Sequence, residues 1–173
     1  MSSAYRGSCF CGAVTYAVTG RPFLSAYCHC TACQRLNRTI VTLRTWESSL
    51  TACLLDSPFV HTIHFPESAF QWTHAEPHED ALQSFILPQK PWKTRWRCRL
   101  CGGCVTSYNS KTNRRSIWSV HLERDEEGMI IGWDDLKPTA HIFYGTRILD
   151  INDNLSKWDG YSDRSTQIIA ERI

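Results

Sequence analysis

Three groups of cysteines hold the chemistry this chain can do. Cys9 and Cys11 form one pair, Cys28, Cys30 and Cys33 fall within "YCHCTACQR", and Cys98, Cys101 and Cys104 fall within "RCRLCGGC". Of the nine cysteines, Cys53 alone stands apart. Clustered thiolates at such spacings are zinc ligands, four in a closed structural site and three where a position is kept for a reacting molecule. Residues two apart in a strand share a face, so Cys9 and Cys11 can aim both sulfurs at one point. Cys98-x-x-Cys101-Gly102 has the form of a zinc knuckle, with a glycine free to take a left-handed conformation. Joined, Cys9, Cys11, Cys98 and Cys101 make a closed structural site that ties the first strand to a late β region and contributes folding energy.

Cys28, Cys30 and Cys33 are left as the ligands of a second zinc. Three thiolates and Zn²⁺ sum to a single negative charge, which makes the ion a weak Lewis acid and zinc-hydroxide hydrolysis a poor use for it. A soft thiol suits the site better, since zinc deprotonates a coordinating thiol. Cys104 is a candidate fourth ligand that would close the site. Its place in the turn after Cys101 sets the expectation that its sulfur starts near Cys98 and Cys101 instead, leaving the second site open.

The elements that must position these groups are short strands. In "GSCFCGAVTYAVT", Val14, Tyr16 and Val18 alternate with Ala13, Thr15 and Ala17, which predicts a strand entered through a cysteine-rich turn. "FLSAYCHC" predicts a second strand, "TACQRLNR" a helical turn, and "IVTLRTW" a third strand. Residues 49–91 read as a variable insertion with short strands at Cys53–Val60 and Thr62–Phe65 and a helical stretch in "HAEPHEDALQSF". "WRCRLCGGCVTSYN" predicts a strand, a tight turn and a return strand, and "SIWSVHL" a strand with Ile117, Ser119 and His121 on one face. "KPTAHIFYGTR" holds a further strand. The expected fold is therefore mainly β, a compact zinc-bound arrangement of short strands and hairpins with little helix, in one domain over residues 1–173.

Composition narrows the class. Of the 173 residues, 42% are hydrophobic and 12% aromatic, which describes a globular chain. The formal charge of +2 is too small to argue for nucleic acid. No apolar run approaches the roughly 18 residues of a membrane span, and "MSSAYRGSCFCG" has no signal-peptide core. Nine cysteines, an odd count and all but one clustered, fit metal ligation in a reducing compartment better than a disulfide framework. The expected location is the cytoplasm, with the nucleus open.

In their order, "GSCFCGAVTYAVTG", "YCHCTACQR", "RCRLCGGC" and "KPTAHIFYGTR" resemble the glutathione-dependent formaldehyde-activating enzyme family, which includes centromere protein V. The resemblance runs over residues 5–48 and 92–155. It implies two zinc ions per chain, a structural one on Cys9, Cys11, Cys98 and Cys101 and a second on Cys28, Cys30 and Cys33. It also implies a carbon–sulfur lyase that relates formaldehyde and glutathione to S-(hydroxymethyl)glutathione, with a different metabolite as substrate if residues 49–91 reshape the site.

On that reading a thiol such as glutathione is held beside an aldehyde, gains proximity, and adds to give a hemithioacetal. A general acid or base must handle the proton at the aldehyde oxygen. His29 is the nearest candidate, although strand alternation points it away from Cys28 and Cys30, and its competing role is to orient the ligands from behind. Arg35 can hold a carboxylate of a glutathione-like ligand or simply be solvated. His141 reads as a hydrogen-bonded β residue. The pairs His61 and His64, and His74 and His78, read as solvent-facing. "SKTNRRS" reads as a solvated hairpin loop, and Cys53 as a core residue. The alternatives to an enzyme are a zinc-stabilised interaction module and a zinc- or redox-buffering protein.

Overall fold

A computed structural model describes residues 3–36, 40–45, 48–53 and 57–169, with residues 40–45 and 48–53 described as paired backbone. The side chain of Cys53, expected in the core, lies outside the described residues.

The strands run β1 Ala4–Ser8, β2 Thr15–Thr19, β3 Leu24–Cys28, β4 Ile40–Thr45, β5 Ser48–Cys53, β6 Val60–Pro66 and β7 Phe70–Trp72. They continue with β8 Leu82–Ile86, β9 Lys93–Cys98, β10 Cys104–Asn109, β11 Arg114–Trp118, β12 Ala140–Ile142, β13 Ser156–Trp158 and β14 Gln167–Ile168. The helices are short: α1 Thr31–Leu36, α2 His78–Ala81 and α3 Trp133–Leu136. The fold is mainly β, as the spacing of apolar residues and turns predicts.

Nine strands form one sheet in the order β14-β13-β12-β3-β6-β11-β10-β9-β8. A second sheet, β1-β2-β7, packs on it, and β4 and β5 pair as a hairpin. Within the large sheet β12 runs parallel to β3 and β13, and the other pairs are antiparallel. The stretch read as an insertion supplies β6, a central strand between β3 and β11. Its backbone ladder is therefore part of the large sheet.

Strand alternation divides the large sheet into two faces. Ile63, Phe65, Val105, Ile117 and Cys98 point to one face and meet Val14, Tyr16 and Val18 of the small sheet. These side chains make the main core, as the alternation in β2 predicts. Gly7 of β1 lies opposite Tyr16, and a Cβ there would come within 2.4 Å of the Tyr16 ring, so the pairing depends on its bare backbone.

The other face carries Cys28, Thr62, His64, Lys93, Arg95 and Trp118 around a cavity. A break in register between Cys104 and Thr106 changes the parity of β10, so that Cys104 and Ser107 both reach this cavity.

Several expectations are corrected. β11 stops at Trp118, and Ser119–His121 form a 3-10 turn in place of continued strand. His61 and His64 are buried, because β6 is covered on both faces. Arg115, read as part of a solvated loop, is 5% exposed. Its guanidinium pairs with Glu67 and stacks on Phe70 and Trp96. Among the described residues, no helix is long and apolar enough to cross a membrane.

Candidate metal centres

The first cluster forms where two turns face each other. After β1 the chain reverses through Cys9–Gly12, with Gly12 N–H bonded to Cys9 O at 3.1 Å and Val14 N–H donated to Cys9 Sγ at 3.3 Å. After β9, Gly102 N–H reaches Cys98 O at 2.9 Å, with Gly102 at φ 72°, the left-handed conformation the sequence pattern requires. The Sγ atoms of Cys9, Cys11, Cys98 and Cys101 all lie within 4.8 Å of one another. Cys9 to Cys11 is 3.5 Å and Cys11 to Cys98 is 3.7 Å. Four sulfurs at the usual zinc–sulfur distance of about 2.3 Å stand about 3.8 Å apart along each tetrahedral edge, so the four fit one zinc ion. Burial pushes the Cys9 thiol up and the Cys98 thiol up to about 12. A dication stabilises the thiolates that burial disfavours.

The second cluster lies on the opposite face of the large sheet, where β3 runs into α1. Cys28, Cys30 and Cys33 have their sulfurs within 4.8 Å of one another, and among the described residues this group has three members. The backbone between them is pinned from several sides. His29 N–H donates to Ile142 O at 3.0 Å, while His29 O accepts from Gln34 Nε2 at 2.8 Å and Thr146 Oγ1 at 2.9 Å. Cys33 N–H points to Cys30 Sγ at 3.4 Å. Hydrogen bonds from the Cys28 and Cys33 thiols push Cys30 well down. The same contacts, with burial, push Cys28 well up. The three sulfurs thus favour a single thiolate in the metal-free protein, and a dication relieves their repulsion. The donor set suits zinc, with one position not supplied by the group.

These sulfurs open on a cavity of about 60 Å³. Lys90, Lys93, Arg95, His64 and Tyr161 are among its lining residues, none of which the cysteine spacing points to. The signal for two of them is present in "KTRWRC": if Trp96 and Cys98 face the core, Lys93 and Arg95 share the other face. Burial lowers the Lys93 ammonium, opposed by the charge of Cys33. His64 is pushed down to about 3 by burial and stays neutral, with Nε2 at 3.0 Å from Thr62 Oγ1. Burial and the nearby thiolates raise the Tyr161 phenol and keep it protonated. A wider basin of about 370 Å³ adjoins the cavity and shares His64, Lys93, Ser116 and Tyr161 with it.

Cys104 lines the cavity but is outside both sulfur groups. The expectation that it starts near Cys98 and Cys101 is corrected. It faces away from Val105, onto the side of the sheet that carries Cys28, where it packs with Val60 and Trp118. Burial raises its thiol to about 11. His29 is fully buried and is not among the residues lining the cavity. Its Nε2 meets His141 Nδ1, whose Nε2 bonds Asp153 Oδ2 at 2.9 Å. Arg35, in the last turn of α1, is exposed and does not line the cavity either.

Fold and clusters define a mainly β protein with two cysteine groups able to hold metal ions. Residues 4–53 match the family described as glutathione-dependent formaldehyde-activating enzyme. That stretch contains Cys9, Cys11 and the Cys28, Cys30 and Cys33 group, whereas Cys98, Cys101 and Cys104 lie beyond it. No curated protein matches the chain. The crystal structure of a Rhodobacter sphaeroides protein is similar with a TM-score of 0.43 and 16% sequence identity, covering 72% of this chain and 96% of that one.

Proposed function

We infer that this protein is a zinc-dependent carbon–sulfur lyase that makes and breaks adducts between a thiol such as glutathione and an aldehyde. The observation that supports this most is the convergence of the Cys28, Cys30 and Cys33 sulfurs on a cavity, without a fourth sulfur in the group among the described residues. The family match over residues 4–53 supports the same chemistry. In this reading Cys28, Cys30 and Cys33 hold one zinc and Cys9, Cys11, Cys98 and Cys101 hold the other. A bound zinc lowers the pKa of a coordinating thiol and presents it as a nucleophile.

The chain's own groups do the rest. The cavity walls hold the aldehyde against the sulfur and exclude bulk water, which supplies proximity. Lys93 places positive charge where the carbonyl oxygen becomes an alkoxide. Tyr161, protonated at neutral pH, is placed to give that oxygen its proton. His29 acts from behind, fixing the Cys28–Cys30 backbone, and Arg35 has no part in the inner site. Reduced thiols suit a cytoplasmic location.

The test is exchange NMR on ¹³C-formaldehyde and glutathione. The zinc-loaded protein is expected to speed exchange between free and adduct carbon above the spontaneous rate, and Cys30→Ser to return it to that rate. No acceleration for formaldehyde or any other aldehyde by a protein holding two zinc ions would refute the lyase reading in favour of an interaction module or a zinc buffer.

A further inference from the structure

The cavity beside the three sulfurs has more positive charge than the sulfurs can use. Lys90, Lys93 and Arg95 line it, and no acidic side chain does among the described residues. Arg95 is only 4% exposed. Its one hydrogen bond runs from Nη1 to Lys93 O at 3.4 Å, which leaves most of its five N–H donors uncommitted. Neither Arg95 nor Lys93 forms an ion pair with a described carboxylate. Arg115, equally buried on the core side of the same region, differs in its charge partner, since it pairs with Glu67 although its Nη1 has no hydrogen bond.

A guanidinium with free N–H donors at a cavity wall is a ready partner for an anionic group. Three thiolates with one Zn²⁺ amount to a single negative charge, against three cationic side chains. The difference calls for an anionic group brought by the ligand. Space limits what that ligand is. The inner cavity, about 60 Å³, suits a small molecule of about the size of glyoxylate. The adjoining basin, about 370 Å³, has room for the larger partner.

We propose that the carbonyl compound taken into the inner cavity carries a carboxylate, as glyoxylate and other small 2-oxo acids do, and that Arg95 and Lys93 clamp that carboxylate. This rests on the thiol–aldehyde reading and narrows its substrate. The planar guanidinium offers paired N–H donors to the two carboxylate oxygens, and Lys93 adds a point charge. In the addition, a sulfur–carbon bond forms and the carbonyl π bond breaks. The thiol's proton ends on the former carbonyl oxygen, and nothing is oxidised or reduced. The reverse step returns that proton and releases both partners.

Calorimetry with oxamate, an unreactive 2-oxo acid mimic, reads the clamp apart from turnover, and acetamide serves as the neutral control. Oxamate should bind the zinc-loaded protein and acetamide should not. Arg95→Gln and the less buried Lys93→Gln should each weaken oxamate binding by about ten- to a hundredfold, the usual effect of one charge-assisted bond. If Arg95→Gln does not fold, Lys93→Gln alone decides. Unchanged binding in Lys93→Gln would put the anion elsewhere and overturn the proposal. Exchange NMR with glutathione should show acceleration for glyoxylate. Acceleration for formaldehyde but not glyoxylate overturns the proposal and leaves the lyase reading standing. Oxamate binding that depends on Lys93, without acceleration for any aldehyde, upholds the clamp and overturns the lyase reading.

Discussion

His29 Nε2 and His141 Nδ1 meet at 2.8 Å between two side chains that are both fully buried. Their tautomers follow from the next partner in the chain. Asp153 Oδ2 accepts from His141 Nε2 at 2.9 Å, so the proton of a neutral His141 is on Nε2 and its Nδ1 is an acceptor. His29 must then donate from Nε2, which leaves His29 Nδ1 deprotonated and without a partner. The relay joins the Cys28–Cys30 backbone to β12 and to the Asp153 segment. It holds the Cys28–Cys30 backbone in place and does not reach the cavity.

Asp153→Ala removes the acceptor and leaves a buried N–H unpaired, with an expected loss of about 2 kcal/mol in urea unfolding. Asp153→Asn keeps an accepting oxygen and should lose less. Zinc content should be unchanged in both. Loss of one zinc in Asp153→Asn with unchanged stability would instead make the relay part of metal binding.

Acid should unfold the protein through His61 and His64. Their pKa values lie at about 4 and about 3, both lowered chiefly by burial from 6.5. Ser25 Oγ donates to Leu136 O and stands 2.8 Å from His61 Nε2, so that nitrogen carries the proton of the neutral ring. Folding favours the neutral forms, and the stability they contribute is present above pH 6.5. It is lost as the pH falls below that value, where these two sites bind two more protons in the unfolded chain, at up to about 3 kcal/mol per pH unit, and His29, lowered to about 4, adds to the slope. Urea midpoints measured from pH 7 to pH 4.5 should fall along this slope. His64→Gln should flatten it, and an equal slope in that variant would assign the acid sensitivity to other groups.

The same two histidines show where sequence reasoning ends. Alternation in "AVTYAVT" is enough to place Val14, Tyr16 and Val18 in the core, because β2 has one buried face. Cysteine spacing is enough to assemble both sulfur groups, since a ligand pair is a local feature. His61 and His64 are on a strand buried on both faces, and nothing local distinguishes such a strand from a polar loop that contains histidine. Lys93 and Arg95 look like the solvent face of β9 until β3 and β6 enclose that face. Cys104 follows Cys101 closely in the chain, but its pairing with Arg97 sets it on the cavity face of the sheet, which nearness in sequence does not reveal.

Cys98→Ser should act as a folding variant. Cys98 is fully buried in the main core and its sulfur is 3.7 Å from Cys11 Sγ, so its loss opens a closed ligand set that ties β1 to β9. Destabilisation of at least about 4 kcal/mol is expected, in the range reserved for loss of a metal or a core network. Melting temperature and zinc content measured on the soluble fraction check this. Full zinc and unchanged melting would reject the assignment of this cluster as a structural site.

Cys104→Ser tests whether the second site is open. Cys104 shares a cavity wall with the three sulfurs, which makes it the obvious candidate to close the site. Its thiol is held up at about 11 by burial despite Arg97, Arg95 and Lys93 nearby. Its sulfur is also outside the group that converges within 4.8 Å. Cys104→Ser should therefore keep two zinc ions and lose only about 1–2 kcal/mol of stability, the cost of burying a hydroxyl among Val60 and Trp118. Cys30→Ser, at the partly exposed edge of the cavity, should lose one zinc and stay folded. X-ray absorption of the wild type should give an average of fewer than four sulfurs per zinc, because one ion has four and the other three. Loss of one zinc in Cys104→Ser, together with four sulfurs on both ions in the wild type, would make Cys104 the closing ligand and leave no position for a reacting thiol.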